Sequence, residues 1–443
     1  MGKSSYVFLI SLIAAFGGLL FGFDIAIFSG TIPFLQPYYQ LTDAQLGWTG
    51  SSLYVGCIVG TLVTGYLTDR YGRKLPLTFA AGIFMVSSLL MGWSSSYTWL
   101  VVWRIMAGIG VGAASMLSPL YIAEVSPAAI RGRMVSINQL TVVIGILLAY
   151  LSNYLLADQE NNWRWMFASG AIPAVLFFVC VFLVPESPRW LLSKGRADEA
   201  RRVLLRLAGS ATVVENELQT IRAGMGREVK GKLRDLVQPG IAFIVMLGIT
   251  MAIFQQISGA NAIFFYAPII FEKAGMNVKD QLFQQIMIGA INLLFTLLAM
   301  QLVDKLGRKK LMLAGASLMA LWLFLVGLCY ALGLFQGYWL TIFVLAFIAT
   351  YATTLAPVTW VLISEIFPTK VRGIAVSVAT CALWTACFAL AYGFPVMIAS
   401  LDAPQTFFIF SGVCLLYFFI LLKYIPETKG KTLEQFETEI IRH

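Results

Sequence analysis

The hexapeptide Asp69-Arg70-Tyr71-Gly72-Arg73-Lys74 recurs as Asp304-Lys305-Leu306-Gly307-Arg308-Lys309, 235 residues later in the chain. Each copy follows a long apolar run, and the glycine in each copy permits a tight turn between two helices. The basic side chains that surround the glycine suit a loop beside a membrane surface. The repeated hexapeptide therefore predicts two equivalent turns in two related halves.

Two further motifs repeat in the same order. Glu124 and Arg131 are matched by Glu365 and Arg372, each 241 residues further on. The string Pro185-Glu186-Ser187-Pro188-Arg189 is matched at the same offset by Pro426-Glu427-Thr428-Lys429. Three repeated motifs predict a chain made by duplication, and transporters built in this way bind substrate at the midplane between their repeats.

The composition excludes a soluble enzyme. Apolar residues make up 59% of the 443 residues, charged residues make up 12%, and the mean hydropathy is +0.81. A soluble domain carries about 45–50% apolar and about 25% charged residues. The six cysteines form no CxxC pair, and the one histidine is the last residue, so neither a zinc site nor histidine catalysis is predicted.

Twelve apolar runs have the length of about 20 residues that a membrane helix needs. We predict spans at Val7–Phe28, Gly47–Tyr66, Pro76–Gly92, Trp99–Ala123, Val135–Leu156, Trp165–Val184, Ile241–Pro268, Phe283–Val303, Leu311–Leu332, Tyr338–Leu362, Ala375–Ala399 and Thr406–Tyr424. The predicted fold is all-α, with residues 1–184 and 240–425 as two six-helix bundles. Residues 185–239 form a cytoplasmic linker of short helices, for which a merely solvated linker is the alternative, and 426–443 form a cytoplasmic tail.

The basic residues predict the orientation. With both termini in the cytoplasm, 27 of the 31 Lys and Arg residues fall in cytoplasmic segments, as the positive-inside rule requires. Membrane topology therefore explains the net charge of +9, and nucleic-acid binding is not expected.

Asp24 and Arg104 are the one acid and the one base that lie well inside predicted spans. A charge at this depth costs at least about 2.5–3.5 kcal/mol and is presumed functional. Both residues fall in the outer half of a core about 30 Å thick, so we expect them to pair. A movement that separates them would change the protonation state of Asp24, which predicts proton coupling. A static structural ion pair is the alternative.

Acids at matched positions in both halves are not explained by topology, because acids contribute little to it. We therefore predict a salt-bridge network that holds the cytoplasmic side shut when the outside is open, without assigning partners. Its members are Asp69, Arg73, Glu124, Arg131, Glu186, Arg189, Asp304, Arg308, Glu365, Arg372 and Glu427.

Uncharged polar residues recur in the later spans. Gln255, Gln256 and Asn261 flank Ser258-Gly259, and a helix break there would bring Gln256 and Asn261 to one cavity. Amides with aromatic faces, here Trp360 and Trp384 among them, suit a neutral polyhydroxylated ligand. Hydrogen bonding between helices is the alternative for any single amide.

The whole chain resembles the sugar porter family of the major facilitator superfamily. The resemblance rests on Gly17-Gly18-Leu19-Leu20-Phe21-Gly22-Phe23-Asp24, the 69–74 hexapeptide, Pro185–Arg189, Gln255-Gln256-Ile257-Ser258-Gly259-Ala260-Asn261 and Pro426-Glu427-Thr428-Lys429-Gly430. It implies alternating access and sugar contacts at Gln139, Gln255, Gln256, Asn261, Asn292 and Trp360, to which we add Trp384 and Phe21. It also implies symport, because proton-coupled members carry Asp and Arg at the positions of Asp24 and Arg104.

The chain departs from the family pattern on the C-terminal side of the pocket. Leu383 and Cys387 replace frequent amides, Ala356 replaces a glycine, and Phe265 replaces a tyrosine. These changes make the expected pocket more apolar than that of a standard glucose carrier, so a less hydroxylated sugar is possible.

The sequence thus predicts a proton-coupled monosaccharide symporter, not an enzyme, without metal or other cofactor apart from the proton as co-substrate. A facilitative uniporter and a non-transporting sugar sensor are the alternatives. We expect a monomer in the lipid bilayer of a bacterial inner membrane.

Overall fold

The computed structural model describes residues 3–127, 130–208, 211–227, 233–238, 241–334, 338–367 and 371–425. Regular structure in these ranges is helical. The helices are α1 (Lys3–Tyr39), α2 (Asp43–Tyr71), α3 (Lys74–Gly92), α4 (Tyr97–Val125), α5 (Arg131–Leu156), α6 (Asn162–Ser169), α7 (Ala171–Cys180), α8 (Pro188–Ser193), α9 (Ala197–Ala208), α10 (Ala211–Arg227), α11 (Ile241–Ile257), α12 (Ala260–Lys273), α13 (Val278–Leu306), α14 (Arg308–Ala331), α15 (Trp339–Thr353), α16 (Leu355–Ile366), α17 (Arg372–Ser400) and α18 (Asp402–Tyr424).

Twelve segments of the described chain are long and apolar enough to cross a membrane, which confirms the predicted all-α fold and its number of spans. Three of the twelve consist of two helices in succession. These are α6 with α7, α11 with α12, and α15 with α16. The broken spans matter for function, because an interrupted helix exposes backbone and side-chain polar groups within the protein interior.

The break at Ser258-Gly259 is present where the sequence predicts it. Gly259 has a φ of +94°, which an L side chain rarely adopts, and α12 begins at the following residue. The breaks at Gly170 and Thr354 were not predicted. Pro357 explains the latter, because it cannot donate a hydrogen bond to Thr353 one turn earlier.

The first span is longer than predicted. Helix α1 continues beyond Phe28 to Tyr39, through Pro33 and Pro37. The predicted span ends at Phe28, but the polar residues Ser29 and Thr31 that follow it are buried within the protein. The extra turns therefore carry polar side chains that the rest of the protein covers.

Glycines let several helices approach each other closely. A Cβ at Gly56 or Gly60 of α2 would collide with the backbone of α4 near Ile105 and Ile109. A Cβ at Gly108 of α4 would likewise collide with the backbone of α2. These contacts fix α2 against α4 with almost no side chain between them.

The chain forms two compact units. The first comprises residues 1–31 and 52–228, and the second comprises 32–51 and 229–443. Helices α8 to α10 cluster with the first unit. The division at residues 184 and 239 stays a prediction.

Each unit carries the same bond at the end of its repeated hexapeptide. Lys74 Nζ donates to the Phe182 carbonyl at 2.7 Å, and Lys309 Nζ donates to the Leu422 carbonyl at 3.1 Å. In both cases the lysine opens the third span of its half, and the carbonyl ends the sixth. The sequence repeat is therefore a structural repeat.

The segment between the spans of the two halves is helical. Ala200, Leu204 and Leu207 lie on one face of α9 and are buried, together with Val214 and Leu218 of α10. The short helices predicted from the apolar spacing are therefore present, and a merely solvated linker is not what the chain forms here.

A tyrosine of α12 satisfies a carbonyl that a proline leaves without its helical donor. Pro395 in α17 has no N–H to donate to the Ala391 carbonyl one turn earlier. The Tyr266 hydroxyl donates to that carbonyl at 2.6 Å, and the Tyr266 ring stacks on Phe394 with centroids 5.3 Å apart. The backbone at Tyr266 is itself non-helical, two residues before Pro268. The irregular parts of α12 and α17 are thus joined.

Candidate functional site: a buried ion pair and an amide cluster

The two predicted membrane charges meet in the first unit. Arg104 Nη2 of α4 lies 3.6 Å from Asp24 Oδ2 of α1, and neither side chain has any exposed surface. The guanidinium also lies against the ring of Phe28, with Cζ 4.5 Å from the ring centroid. The pair combines an acid that can change its charge with a base that cannot.

The carboxylate of Asp24 is held loosely. Neither of its oxygens accepts a hydrogen bond from the residues that the structure describes. The separation of 3.6 Å from Arg104 exceeds the about 2.7–2.9 Å of a charge-assisted hydrogen bond. A buried carboxylate without hydrogen bonds depends on a nearby positive charge to remain ionised.

The amides around the α11–α12 break form a connected chain in the second unit. Asn261 Nδ2 donates to Gln256 Oε1, and Gln256 Nε2 donates to Gln255 Oε1 at 3.3 Å. Gln255 Nε2 donates in turn to the carbonyls of Leu355 and Ala356, at 3.5 and 3.4 Å. Gln255 and Gln256 are 3% and 7% exposed, so this is an interior polar cluster.

The break explains why these amides meet. Gln256 and Asn261 are five residues apart and share no face of a regular helix. The left-handed Gly259 turns the chain between them, and Ser258 Oγ donates to the Gln255 carbonyl at 2.8 Å. The start of α16 supplies carbonyl acceptors from the other broken span. Two helix breaks therefore converge on one polar cluster.

Cys387 of α17 replaces a frequent family amide and lies at this cluster. Asn261 Nδ2 lies 3.7 Å from its Sγ, within the range of a weak hydrogen bond to sulfur. The thiol is buried, as is the neighbouring Leu383. The α17 side of the cluster thus offers a sulfur and an aliphatic chain.

The other predicted sugar contacts differ in exposure. Asn292 lies on the face of α13 that also buries Gln285 and Thr296, and Trp384 of α17 is buried as well. Trp360 of α16 is 39% exposed. Gln139 and Phe21 are half-buried in the first unit.

The repeated motif of the first unit contains a bidentate ion pair. Arg73 Nε and Nη2 donate to the two carboxylate oxygens of Glu124 at 2.9 and 2.8 Å. The Arg73 and Glu124 side chains are 12% and 5% exposed. Arg73 Nη1 also donates to the Thr68 carbonyl at the end of α2. One arginine therefore ties together the ends of α2 and α4 and the start of α3.

The Glu186 carboxylate binds backbone N–H groups. It accepts from the N–H groups of Arg73, Lys74 and Ser187, at 2.8, 3.2 and 2.8 Å. It thereby caps the N-terminus of α3, where unpaired N–H groups and the helix dipole favour an anion. Gly72 has a φ of +91°, and a Cβ there would collide with the Glu186 carboxylate. The matched acid–glycine spacing could have suggested this cap.

Two further hydrogen bonds lie next to those of Glu186. We call the whole set of bonds between residues 185–190 and the helix ends near the α2–α3 turn the Glu186 clasp. Tyr121 Oη donates to the Pro185 carbonyl at 2.7 Å, and Trp190 Nε1 donates to the Asp69 carbonyl at 3.2 Å. Asp69 enters through its backbone, and its side chain is exposed. The clasp is therefore mainly a set of bonds to backbone groups.

The remaining predicted gate residues are spread over the helix ends. Arg131 and Arg189 are exposed at the starts of α5 and α8, and Arg308 is half-buried at the start of α14. Glu427 lies outside the described residues, as do the side chains of Asp304, Glu365 and Arg372. The network in the C-terminal half stays a prediction.

Twelve spans, duplicated motifs and buried polar sites define a secondary transporter. The family model described as "Sugar (and other) transporter" matches residues 10–440. The chain belongs to this family, whose members are transporters and not enzymes.

Curated and solved relatives agree with this assignment. The chain is 39% identical to the arabinose-proton symporter of Bacillus subtilis, over 98% of this chain and 94% of that protein. It is 38% identical to the D-xylose-proton symporter of Escherichia coli K12, over 98% and 96%. The partially occluded inward-open structure of the E. coli xylose transporter XylE matches with a TM-score of 0.87 at 36% identity, covering 97% of this chain and all of that one.

Proposed function

We propose that this protein imports a monosaccharide together with protons by alternating access. Its relatives are named as symporters of arabinose, xylose and galactose with protons. The observation that carries the proton part is the fully buried Asp24–Arg104 pair. Transport of this kind needs no cofactor, because the proton is a co-substrate.

The proton site is proposed at Asp24. An ionised carboxylate is stable in the interior while Arg104 is near, and it loses this compensation when the two separate. Proton binding replaces the lost compensation. Movement of α1 against α4 and protonation of Asp24 would therefore favour each other, which is what coupling requires.

The sugar site is proposed at the amide cluster of α11 and α12. Gln255, Gln256 and Asn261 offer donors and acceptors that a ring of hydroxyls could use. Asn292, Trp360, Trp384, Gln139 and Phe21 remain proposed contacts through the family resemblance. Sulfur and aliphatic groups at Cys387 and Leu383 favour a sugar with fewer hydroxyls, since a site is weakened by polar ligand groups left without partners. A pentose is therefore the first substrate to test.

The surroundings of the protein are proposed from its charges and spans. The 27 basic residues of the turns, linker and tails support an orientation with both termini in the cytoplasm, and the bacterial relatives support an inner membrane. The Arg73–Glu124 pair and the Glu186 clasp then lie on the cytoplasmic side, where they would stabilise one gate conformation. We propose a monomer, in which one chain supplies both sites.

The test uses the purified protein in proteoliposomes. Counterflow with labelled D-xylose, L-arabinose, D-galactose and D-glucose identifies the substrate, and an inward proton gradient then tests for accumulation. We expect accumulation of the preferred sugar above equilibrium, abolished by a protonophore. In the Asp24→Asn variant, accumulation should disappear while exchange of labelled sugar survives.

Three results would each contradict one part of the proposal. Counterflow without gradient-driven accumulation in the wild type would indicate a uniporter. Sugar binding without counterflow would indicate a sensor. Accumulation preserved in Asp24→Asn would leave symport intact but remove Asp24 from it.

A further inference from the structure

Phe28 makes a second contact with the guanidinium that pairs with Asp24. Arg104 Cζ lies 4.5 Å from the centroid of the Phe28 ring, within the about 6 Å at which a cation–π attraction acts. The ring has no exposed surface. Asp24 and Phe28 are four residues apart on α1 and therefore lie on the same face. One helix face thus presents an acid and an aromatic ring to one buried cation.

We propose that Phe28 is a positioning residue for proton coupling, whose ring stabilises the Arg104 charge when Asp24 is neutral and so sets the pH at which proton-driven uptake operates. This inference rests on the proposed symport function. It assigns a role in coupling to a residue that cannot itself carry the proton.

A guanidinium group such as that of Arg104 keeps its positive charge in a protein. When Asp24 is ionised, its carboxylate compensates most of that charge. When Asp24 binds a proton, the carboxylate compensation ends, and the cation remains in a fully buried site. The face of the Phe28 ring then carries a larger part of the stabilisation, so the ring favours the proton-loaded state over the empty one.

The distances of Arg104 from Asp24 and from Phe28 support these separate roles of the carboxylate and the ring. The Arg104–Asp24 separation of 3.6 Å is longer than a charge-assisted hydrogen bond, so the carboxylate does not hold the guanidinium in a tight clamp. The ring sits at a distance at which contact is already made. Loss of the carboxylate charge therefore requires no rearrangement to recruit Phe28.

Other titratable groups near the pair do not supply this charge balance. The buried titratable side chains on the described parts of the adjacent helices are Tyr54 and Cys57 of α2 and Tyr150 of α5. Phenol and thiol groups ordinarily lose their proton only above neutral pH. Arg104 is the charged group that acts on Asp24 among the described residues. The aromatic ring is thus the feature to vary.

The experiment measures gradient-driven uptake in proteoliposomes over a series of external pH values, with labelled D-xylose or L-arabinose, whichever gives the larger counterflow signal. In Phe28→Leu we expect the pH of half-maximal uptake to fall by about 0.5–1 unit, the size that a buried cation–π contact implies. Phenylalanines with one, two and three ring fluorines at position 28 keep the shape and weaken the ring face stepwise. They should move the half-maximal pH downward in the same order.

Phe84→Leu is the matched control, because Phe84 is a buried phenylalanine of α3 in the same unit, outside the ion pair. It should leave the half-maximal pH unchanged. An unchanged profile in both Phe28→Leu and the fluorinated series would overturn the inference. A shift in Phe28→Leu without graded response to fluorine would also overturn it, since packing alone would then explain the shift.

The fluorinated series carries the test if Phe28→Leu does not fold. Failure of the proposed function looks different from failure of this inference. A wild-type protein whose uptake ignores the proton gradient would reject symport, and the role of Phe28 with it. A gradient-dependent wild type with an unresponsive position 28 would reject only the role of Phe28.

Discussion

Arg104 of α4 places its Nη2 atom 3.6 Å from Asp24 Oδ2 of α1, and both side chains are completely shielded from solvent. The two partners are not equivalent. Asp24 can neutralise itself by binding a proton, whereas Arg104 stays charged under all conditions that the protein meets. This asymmetry determines how the two single substitutions should differ.

Asp24→Asn should therefore destabilise the protein more than Arg104→Leu. The first leaves a permanent buried cation, and the cost approaches the about 3–5 kcal/mol of a broken buried pair. The second leaves an acid that can take up a proton. The double variant should recover part of the loss of Asp24→Asn. Tm measured in detergent tests this order, and equal losses in the two single variants would contradict it.

Glu124→Gln should change the balance between outward-open and inward-open forms. The substitution removes one charge of the bidentate Arg73–Glu124 pair and weakens the tie between the start of α3 and the end of α4. Accessibility of single cysteines placed at the two ends of the spans reports the ratio. Glu199→Gln is the matched control, because Glu199 pairs with Arg196 on the exposed surface of the linker. Identical ratios in Glu124→Gln and wild type would remove the pair from gating.

Gly72→Ala should destabilise the protein by about 1–3 kcal/mol. The turn requires a left-handed conformation at φ +91°, which is strained for an alanine. The added Cβ would also collide with the Glu186 carboxylate that caps α3. Gly132→Ala is the control, since open space surrounds Gly132 in α5. Tm should fall for the first variant and not for the second. An unchanged Tm for Gly72→Ala would mean that the clasp adds little to stability.

Cys387→Asn should shift sugar preference towards hexoses. The thiol that Asn261 contacts is a weak acceptor, and an amide would offer a strong donor and a strong acceptor at the same place. One added hydrogen bond of about 1 kcal/mol changes relative affinity about five-fold. Competition of unlabelled D-glucose and D-xylose against labelled sugar in counterflow measures this. Cys57→Ser, on α2 in the other unit, should not change the preference, and an unaltered ratio in Cys387→Asn would place the sugar elsewhere.

Much of the fold could be predicted because its signals are local. Length and hydropathy predict the spans, and a left-handed glycine predicts the break after Ser258. The extension of α1 to Tyr39 could not be predicted, because the burial that shelters its polar residues comes from other parts of the chain.

The candidate site also has one part that the sequence predicts and one part that it does not. A lone acid and a lone base in hydrocarbon have few other partners, so depth alone predicts that Asp24 meets Arg104. The Glu186 carboxylate has a choice between arginines and backbone N–H groups, and the sequence does not reveal it. The local turn at Gly72 decides in favour of the backbone. Partner choice at a helix end therefore needs coordinates.

The hydrogen bond from Tyr266 to the Ala391 carbonyl couples the irregular segment of α12 near Pro268 to that of α17 near Pro395. A proline within a helix creates a flexible point, because the turn that it interrupts has lost one backbone hydrogen bond. Here the Tyr266 hydroxyl of α12 donates to the carbonyl that Pro395 leaves without a donor in α17. Neither helix can therefore straighten without displacing the other. The parts of α12 and α17 that follow Tyr266 and Ala391 should consequently tilt together.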